Sequence, residues 1–289
     1  MKPPSATRPF TEIEGIRCYA PELALAHTDY PSAGFDVTAA VEARSFWCRS
    51  RIRIIRGMVE RYADRTRTLD MLDIGCGIGG MVGGLQSLGR LTLTGSEIYL
   101  SGLRYARARL PEASFIQLDA TRIPFEDSFD IVGAFDVLEH IDEDERVMAS
   151  VHDALRPGGL FLVTVPQYPW MWSHLDDIVH HKRRYTRGEL KRKLRAAGFE
   201  VLRTTSFVSL LFPPMVLSRF MSRVRERSAD TAKEFESEVN LPGPLNAAFD
   251  VMMRVDEALI ALGVSLPIGG SLLAVARKAG RSGAKGAPA

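Results

Sequence analysis

The sequence predicts an α/β fold: a doubly wound, mostly parallel sheet with helices on both faces. Three observations carry this. Short apolar runs alternate with stretches of helical length between residues 41 and 206. One run, Leu160–Val165, is apolar without interruption, as in strands buried on both faces. Another, Leu69–Ile74, leads into Gly75-Cys76-Gly77-Ile78-Gly79-Gly80, a glycine-dense turn that opens a helix.

Taken in order, residues 1–40 are proline-rich and weakly periodic, and read as an arm or lid with one short helix. Val41 to Tyr62 reads as an amphipathic helix. Val41, Phe46, Ile52, Ile55 and Val59 share a face, and Arg44, Arg49, Arg53, Arg56 and Glu60 form a solvated one. Strand one is Leu69–Ile74, followed by a helix over Gly79–Leu88. Strand two is Leu91–Glu97, followed by a helix over Tyr99–Leu110. Strands three and four are Ser114–Leu118 and Phe129–Phe135. A helix over Asp142–Leu155 starts at Asp142 with Glu145 three residues on, and Pro157-Gly158-Gly159 closes it. After strand five, Leu160–Val165, the capping box Thr186-x-x-Glu189 starts a helix that Gly198 stops. Strand six is Phe199–Ser206. Regularity then fails for about sixty residues until Ser271–Ala276, a last strand. The stretch 279–289 reads as a disordered tail.

Bulk properties narrow the function. The chain has 289 residues and a net charge of +2, with three positives (Lys278, Arg281, Lys285) in the tail, so no concentrated basic face argues for nucleic acid. Cys18, Cys48 and Cys76 are odd in number and far apart, which fits neither a disulfide framework nor a metal cluster. They read as reduced thiols in a cytoplasmic protein. Met1-Lys2-Pro3-Pro4-Ser5 leads into no apolar segment of signal-peptide type, and no apolar run approaches the roughly 20 residues of a membrane span.

The glycine turn alone also satisfies G-x-G-x-x-G through Gly75, Gly77 and Gly80, so a dinucleotide-dependent oxidoreductase and a ligand-free turn remain open at this point. The residues downstream of the turn are more specific. Leu72-Asp73-Ile74-Gly75-Cys76-Gly77-Ile78-Gly79, Glu97 after strand two, Leu118-Asp119-Ala120 after strand three, Ile123 through Asp130, Asp136 through Ile141, and Leu155-Arg156-Pro157-Gly158-Gly159 form an ordered series. This series resembles the class I S-adenosylmethionine-dependent methyltransferases, from about Arg44 to Ala276.

The resemblance implies a Rossmann-like sheet of seven strands whose last strand, Ser271–Ala276, runs antiparallel beside strand five. It implies a methyltransferase domain over 41–206 and 269–278, with 207–268 inserted between strands six and seven as a helical cap. The cofactor it implies is S-adenosyl-L-methionine, held by Asp73, Gly75, Cys76, Gly77, Gly79, Glu97, Ile98, Asp119, Ala120, Asp136 and Val137.

The residue chemistry agrees. Glu97 is an acceptor-only carboxylate suited to two ribose hydroxyls, and Asp119 accepts from an exocyclic amine while the Ala120 N–H donates to a ring. Asp73 lies under the turn, where it takes an amino group or braces the turn. Asp136 stands at the mouth of strand four, near the expected sulfonium. All lie where open α/β sheets bind ligands. Cys76 reads as merely small enough to fit, and Glu139-His140 as capping or orienting.

A sulfonium methyl needs alignment more than covalent chemistry, and a hydroxyl acceptor also needs a base. The stretch Pro166–Tyr185 is aromatic, then dense in His, Asp and Arg. It resembles a subgroup carrying Trp-Ser, then Asp, then His-x-x-Arg-Tyr, matched here by Trp172-Ser173, Asp176, His181, Arg184 and Tyr185. Phe46-Trp47 with Arg49 and Arg51 fits the subgroup's N-terminal helix. The expected general base is His181, oriented by Asp176, with His174 competing. Trp47, Arg51, Tyr168, Trp172, Arg184 and Tyr185 are the expected acceptor contacts. No metal is expected, because His174, Asp176, Asp177, His180 and His181 match no familiar ligand spacing.

Phe207–Leu217 followed by Arg219, Arg223, Arg225 and Arg227 is apolar then basic. That order fits a lid helix on its own core, a peripheral membrane contact through 207–227, or a greasy pocket. The expected acceptor is a hydrophobic or amphipathic small molecule, lipid-like or glycosylated, methylated at a hydroxyl. The alternatives are an NAD-dependent oxidoreductase and a non-catalytic cofactor- or partner-binding module. Monomer and homodimer are both compatible with the sequence.

Overall fold

The computed structural model describes residues 6–26, 42, 44–222 and 241–280. The strands are β1 (Thr11–Ile13), β2 (Ile16–Cys18), β3 (Leu69–Ile74), β4 (Leu91–Glu97), β5 (Ser114–Gln117), β6 (Phe129–Phe135), β7 (Leu155–Pro166), β8 (Phe199–Phe207) and β9 (Ser271–Lys278). The helices are α1 (Pro21–Ala26), α2 (Phe46–Tyr62), α3 (Gly80–Gln86), α4 (Leu100–Arg109), α5 (Asp144–Ala154), α6 (His174–Ile178), α7 (Arg187–Ala196), α8 (Phe212–Ser222) and α9 (Gly243–Ala261).

One sheet takes the order β1-β2-β5-β4-β3-β6-β7-β9-β8. Strands β3 to β7 pair in parallel, and β9 runs antiparallel between β7 and β8. The expected seven strands are therefore present, with two more at the edge. β1 and β2 form a hairpin, and β2 pairs in parallel with β5. This corrects the reading of residues 1–40 as an arm: the described part of it extends the sheet. The fully buried Gln117 amide secures the junction, accepting from the Ala20 N–H at 3.1 Å and donating to the Ala20 carbonyl at 3.0 Å. A lone edge strand three residues long is not legible from periodicity.

Successive residues of a strand point to opposite faces, and each face carries its own core. On one, Met71, Leu93, Ile131 and Leu162 pack with Ile55, Met58 and Val59 of α2. On the other, Leu72, Val132, Phe161 and Leu272 pack with Val147 and Val151 of α5 and Leu190 and Leu194 of α7.

Helix α2 begins at Phe46, not Val41. Its N-cap Ser45 makes no side-chain cap bond. Asn246 in α9 supplies the cap instead: its Oδ1 accepts from the Phe46 N–H at 2.8 Å, and its Nδ2 donates to the Arg44 carbonyl at 2.7 Å. The arginine face of α2 is not merely solvated. Arg53 donates to both oxygens of Glu257, at 2.7 and 2.6 Å, and to Asp250 at 2.9 Å. Met253 and Ile260 of α9 complete the core beneath. Helix α9, in the segment between β8 and β9, thus docks along α2. Leu217 and Phe220 of α8 are exposed. Among the described residues no helix is long and apolar enough to cross a membrane. Arg223, Arg225 and Arg227 lie outside the described residues, as does the tail 281–289.

The face bearing α5 and α7 holds a buried ion cluster. Asp144 accepts from Lys193 Nζ at 2.8 and 2.6 Å, from Arg183 Nη1 at 2.8 Å and from the Tyr185 hydroxyl at 2.7 Å. Removing one partner of a buried ion pair strands the other's charge. Asp144→Ala is expected to lower unfolding free energy by about 3–5 kcal/mol, read as the shift of a urea transition. A loss below about 1 kcal/mol would mean that Lys193 is not held by this pair.

Candidate active site

The carboxyl ends of β3, β4, β5 and β6 open onto a cavity of about 1060 Å³. That is about the upper end of the roughly 300–1,000 Å³ of a small-molecule site. Its floor is the glycine turn. Gly75, Gly77 and Gly79 have φ of 64°, 53° and 83°, the left-handed region that glycine adopts without penalty. A Cβ on Gly75 would lie 2.6 Å from Val137 Cγ2, so the turn packs against the loop after β6. A Cβ on Gly77 would meet nothing within 4 Å. Backbone there is bare toward the cavity, a cradle for a closely approaching ligand.

Ten of the eleven expected cofactor residues line the cavity: Asp73, Gly75, Cys76, Gly77, Glu97, Ile98, Asp119, Ala120, Asp136 and Val137. Gly79 does not. It is the left-handed N-cap of α3, and a Cβ there would press on Leu110 and Ala106, so its role is packing.

The acids differ in what they already hold. Glu97 accepts from the Gly77 N–H at 3.1 Å and the Ile98 N–H at 2.7 Å, one on each oxygen, with the Tyr99 N–H as a third backbone donor. Burial raises its carboxyl above the usual range against those backbone donors. Asp119 Oδ1 accepts from the Thr121 N–H and hydroxyl, and Oδ2 from Arg122 Nε at 2.9 Å. Although burial opposes it, these donors hold the Asp119 carboxyl low. Asp73 is buried, and its Oδ2 has no partner among the described residues. Burial, opposed by nearby Arg51, pushes its carboxyl up to about 8. An orphaned buried oxygen beside a bare glycine turn fits a ligand that brings its own donor. The Cys76 thiol is raised by burial and stays protonated; its Sγ sits against the Gly77 carbonyl.

Asp136 carries φ of 59°, uncommon for a non-glycine residue, and its carboxylate pairs with Arg51. The Arg51 guanidinium also lies 4.2 Å over the Trp47 ring. Arg51 therefore reaches the cavity wall from α2, held by Asp136, while Trp47 does not line the cavity.

The loop after β7 departs further from expectation. Asp176 and His181 do meet, Nδ1 to Oδ1 at 2.8 Å. But His181, Asp176 and His174 do not line the cavity; Val179, His180 and Lys182 do. His181 Nε2 faces Glu139 Oε1 at 3.9 Å rather than the cavity. A direct base needs hydrogen-bond reach to the substrate proton, so His181 does not fill that role in this geometry.

Arg184 and Tyr185 are buried anchors rather than acceptor contacts. Arg184 makes a fork on Asp176 at 2.7 and 2.9 Å, and Tyr185 bonds Asp144. Trp172 donates to Asp177 at 2.9 Å, His174 lies 3.7 Å from the same carboxylate, and Tyr168 stacks on Trp170 at 5.5 Å, all away from the cavity lining.

The residues that sequence reasoning set aside are Glu139 and His140. His140 lines the cavity and packs edge-on against His181, with ring centres 4.6 Å apart. Burial and His181 push its imidazole down to about 3, so it is neutral. Glu139 is fully buried with neither carboxylate oxygen partnered among the described residues. The available signal was an acid–histidine pair at a strand mouth, with a second histidine after the next strand.

Comparisons with known proteins match this geometry. The family profile described as "Methyltransferase domain" matches residues 72–163, from β3 to β7. A probable S-adenosylmethionine-dependent methyltransferase of Mycolicibacterium smegmatis is 28% identical over 174 residues, 59% of this chain and 66% of that one. Sterol 4-C-methyltransferase strm-1 of Caenorhabditis elegans is 33% identical over 98 residues, 32% of this chain and 29% of that one. The matched stretches therefore span just under two thirds and less than a third of these relatives' lengths.

The fold is shared with phosphoethanolamine N-methyltransferase 2 of Haemonchus contortus, solved with S-adenosyl-L-methionine. Its TM-score is 0.58 at 18% identity, with 88% of this chain and 59% of that one covered. The profile falls on the strands whose ends bear Asp73, Glu97, Asp119 and Asp136, and over residues 72–163 this chain matches the methyltransferase domain.

Proposed function

We propose that this chain moves a methyl group from S-adenosylmethionine to a hydroxyl of a small hydrophobic or amphipathic molecule. The observation that carries the reading is the donorless Asp73 carboxylate oxygen beneath the glycine turn, with Glu97 and Asp119 at the neighbouring strand ends. In this reading Asp73 takes the cofactor's amino group, Glu97 the ribose hydroxyls, and Asp119 with the Ala120 N–H the adenine edge. When bound, the cofactor supplies a methyl group activated on a sulfonium.

The chain's own part is orientation, a contribution on the order of 7–11 kcal/mol for well-aligned reactants. Beside the cofactor residues the cavity is walled by Ile141, Val179 and Leu23, with His140, His180 and Lys182 among them. Apolar walls with a few polar groups suit a greasy acceptor carrying one reactive hydroxyl. The sterol methyltransferase among the relatives supports that class of acceptor. Loss of the hydroxyl proton is assisted at the cluster of Glu139, His140 and His181, whose His140 lines this half of the cavity.

Calorimetry separates the cofactor classes. Heat is expected with S-adenosylhomocysteine and none with NAD, and the reverse result would end the methyltransferase reading. The Asp73 carboxyl gives a pH signature. With its pKa near 8 in the free protein, it must lose a proton before it can hold a cationic amine. Affinity for S-adenosylhomocysteine is therefore expected to weaken from pH 8.5 to 6.5, approaching about tenfold per pH unit. Asp73→Asn should bind more weakly and without that slope; an unchanged slope would remove Asp73 from the amine contact. Labelled methyl from the cofactor is expected in the organic-extractable fraction of a cell lysate. His140→Ala should cut that turnover by about 10²–10⁴-fold, with cofactor affinity kept; equal turnover would exclude the cluster.

A further inference from the structure

The loop after β7 brings His181 against the short turn Leu138–His140 that follows β6. One ligand-type atom from each of Glu139, His140 and His181 lies within 4.8 Å of the other two. Glu139 has no exposure, and neither of its oxygens has a hydrogen-bond partner among the described residues. Buried carboxylates are ordinarily paired, hydrogen-bonded or bound to a metal. The neighbouring cations are engaged elsewhere: Arg51 pairs with Asp136, and Arg184 forks onto Asp176.

Both histidines bring a ring nitrogen within 4.8 Å of this carboxyl group. Asp176 accepts from the Ser173 N–H and hydroxyl and from both arms of Arg184, so it is an ionised acceptor. The contact at 2.8 Å therefore assigns the His181 proton to Nδ1. Its Nε2 stands 3.9 Å from Glu139 Oε1. His140 donates from its ring to the Val179 carbonyl, which leaves its other nitrogen as the acceptor. A carboxylate that fixes a histidine from behind is the usual support of a metal-binding imidazole. Two imidazoles and one carboxyl group form a donor set for a divalent transition metal with open positions.

We propose that Glu139, His140 and His181 bind a divalent transition-metal cation at the cavity wall, with Asp176 as the positioning residue for His181. Ligand atoms around such an ion lie about 3–4 Å apart, so the three side chains draw together slightly on binding. The catalytic use of the site rests on the O-methylation reading. His140 faces the cavity, so an open position of the cation is available to the acceptor hydroxyl. The O–H bond then breaks with its electron pair retained on oxygen, and the proton passes to water, because a bound cation lowers the pKa of its oxygen ligand.

The test is titration of untagged, chelator-stripped full-length protein with cobalt(II) chloride, followed by calorimetry and visible absorption. One equivalent is expected, with the d–d bands of a histidine-ligated ion. Glu139→Gln and His181→Ala should weaken binding by about 100-fold, and Asp176→Asn by about tenfold. Affinity for S-adenosylhomocysteine, measured on the same samples, reports that each variant is folded. Absence of saturable cobalt binding, or unchanged binding in folded Glu139→Gln, would overturn the site. Methyl transfer that falls on stripping and returns with the metal supports its catalytic use. Transfer indifferent to chelator overturns that use and leaves the methyltransferase reading standing. Cobalt binding without methyl transfer to any acceptor leaves the metal site standing and removes the proposed function.

Discussion

The carboxylate of Asp176 holds together the part of this protein that gives the cavity its character. Five donors from four groups converge on it: the Ser173 N–H and hydroxyl, His181 Nδ1, and two nitrogens of Arg184. Burial works against its charge, and the His181 and Arg184 hydrogen bonds more than offset that, so the carboxyl sits well below the usual range. With Asp176 in place, α6 has its capping box, and the backbone of His181 is drawn in by a further bond to the Asp176 carbonyl. Val179, His180 and Lys182 are thereby set on the cavity wall. Without that charge Arg184 would be a buried cation with no counter-ion, and the loop would lose its reason to fold back.

A second constraint acts from the other side. Asp136 at the mouth of β6 adopts a left-handed backbone and grips Arg51 of α2. Helix α2 is itself held by α9, through Arg53 on Asp250 and Glu257 and through the cap that Asn246 provides. The segment between β8 and β9 therefore supports the cavity indirectly. None of its described residues lines the cavity, yet it sets the pose of the helix that delivers Arg51. A helix whose start lacks a local cap needs such a partner, because its first N–H groups are otherwise unsatisfied.

The parts of the fold legible in the chain are those governed by local rules. Strands β3, β4 and β6 fall on the bounds read from apolar runs. The start of α7 follows from Thr186, whose hydroxyl accepts from the Glu189 N–H at 3.2 Å. The cofactor edge was legible for a related reason. A glycine turn and an acid at each strand end are positional features, and the topology brings strand ends together regardless of side-chain detail. Where local signals mislead, a distant partner has intervened. Local spacing predicts Asp142 as the N-cap of α5, which instead begins at Asp144, whose carboxylate is drawn into the cluster with Lys193 and Tyr185.

By itself the sequence determined the doubly wound sheet, the glycine floor and the acids along its upper edge, since these follow from periodicity, backbone freedom and strand-end position. Only the tertiary structure decided which of the polar residues after β6 and β7 face the cavity. Arg184, Tyr185 and Asp176 carry side chains as suitable for an acceptor as those of Glu139 and His140. They differ in which buried charges they must satisfy: Arg184 and Asp176 pair with each other across the folded-back loop, and Tyr185 bonds Asp144, 41 residues away along the chain.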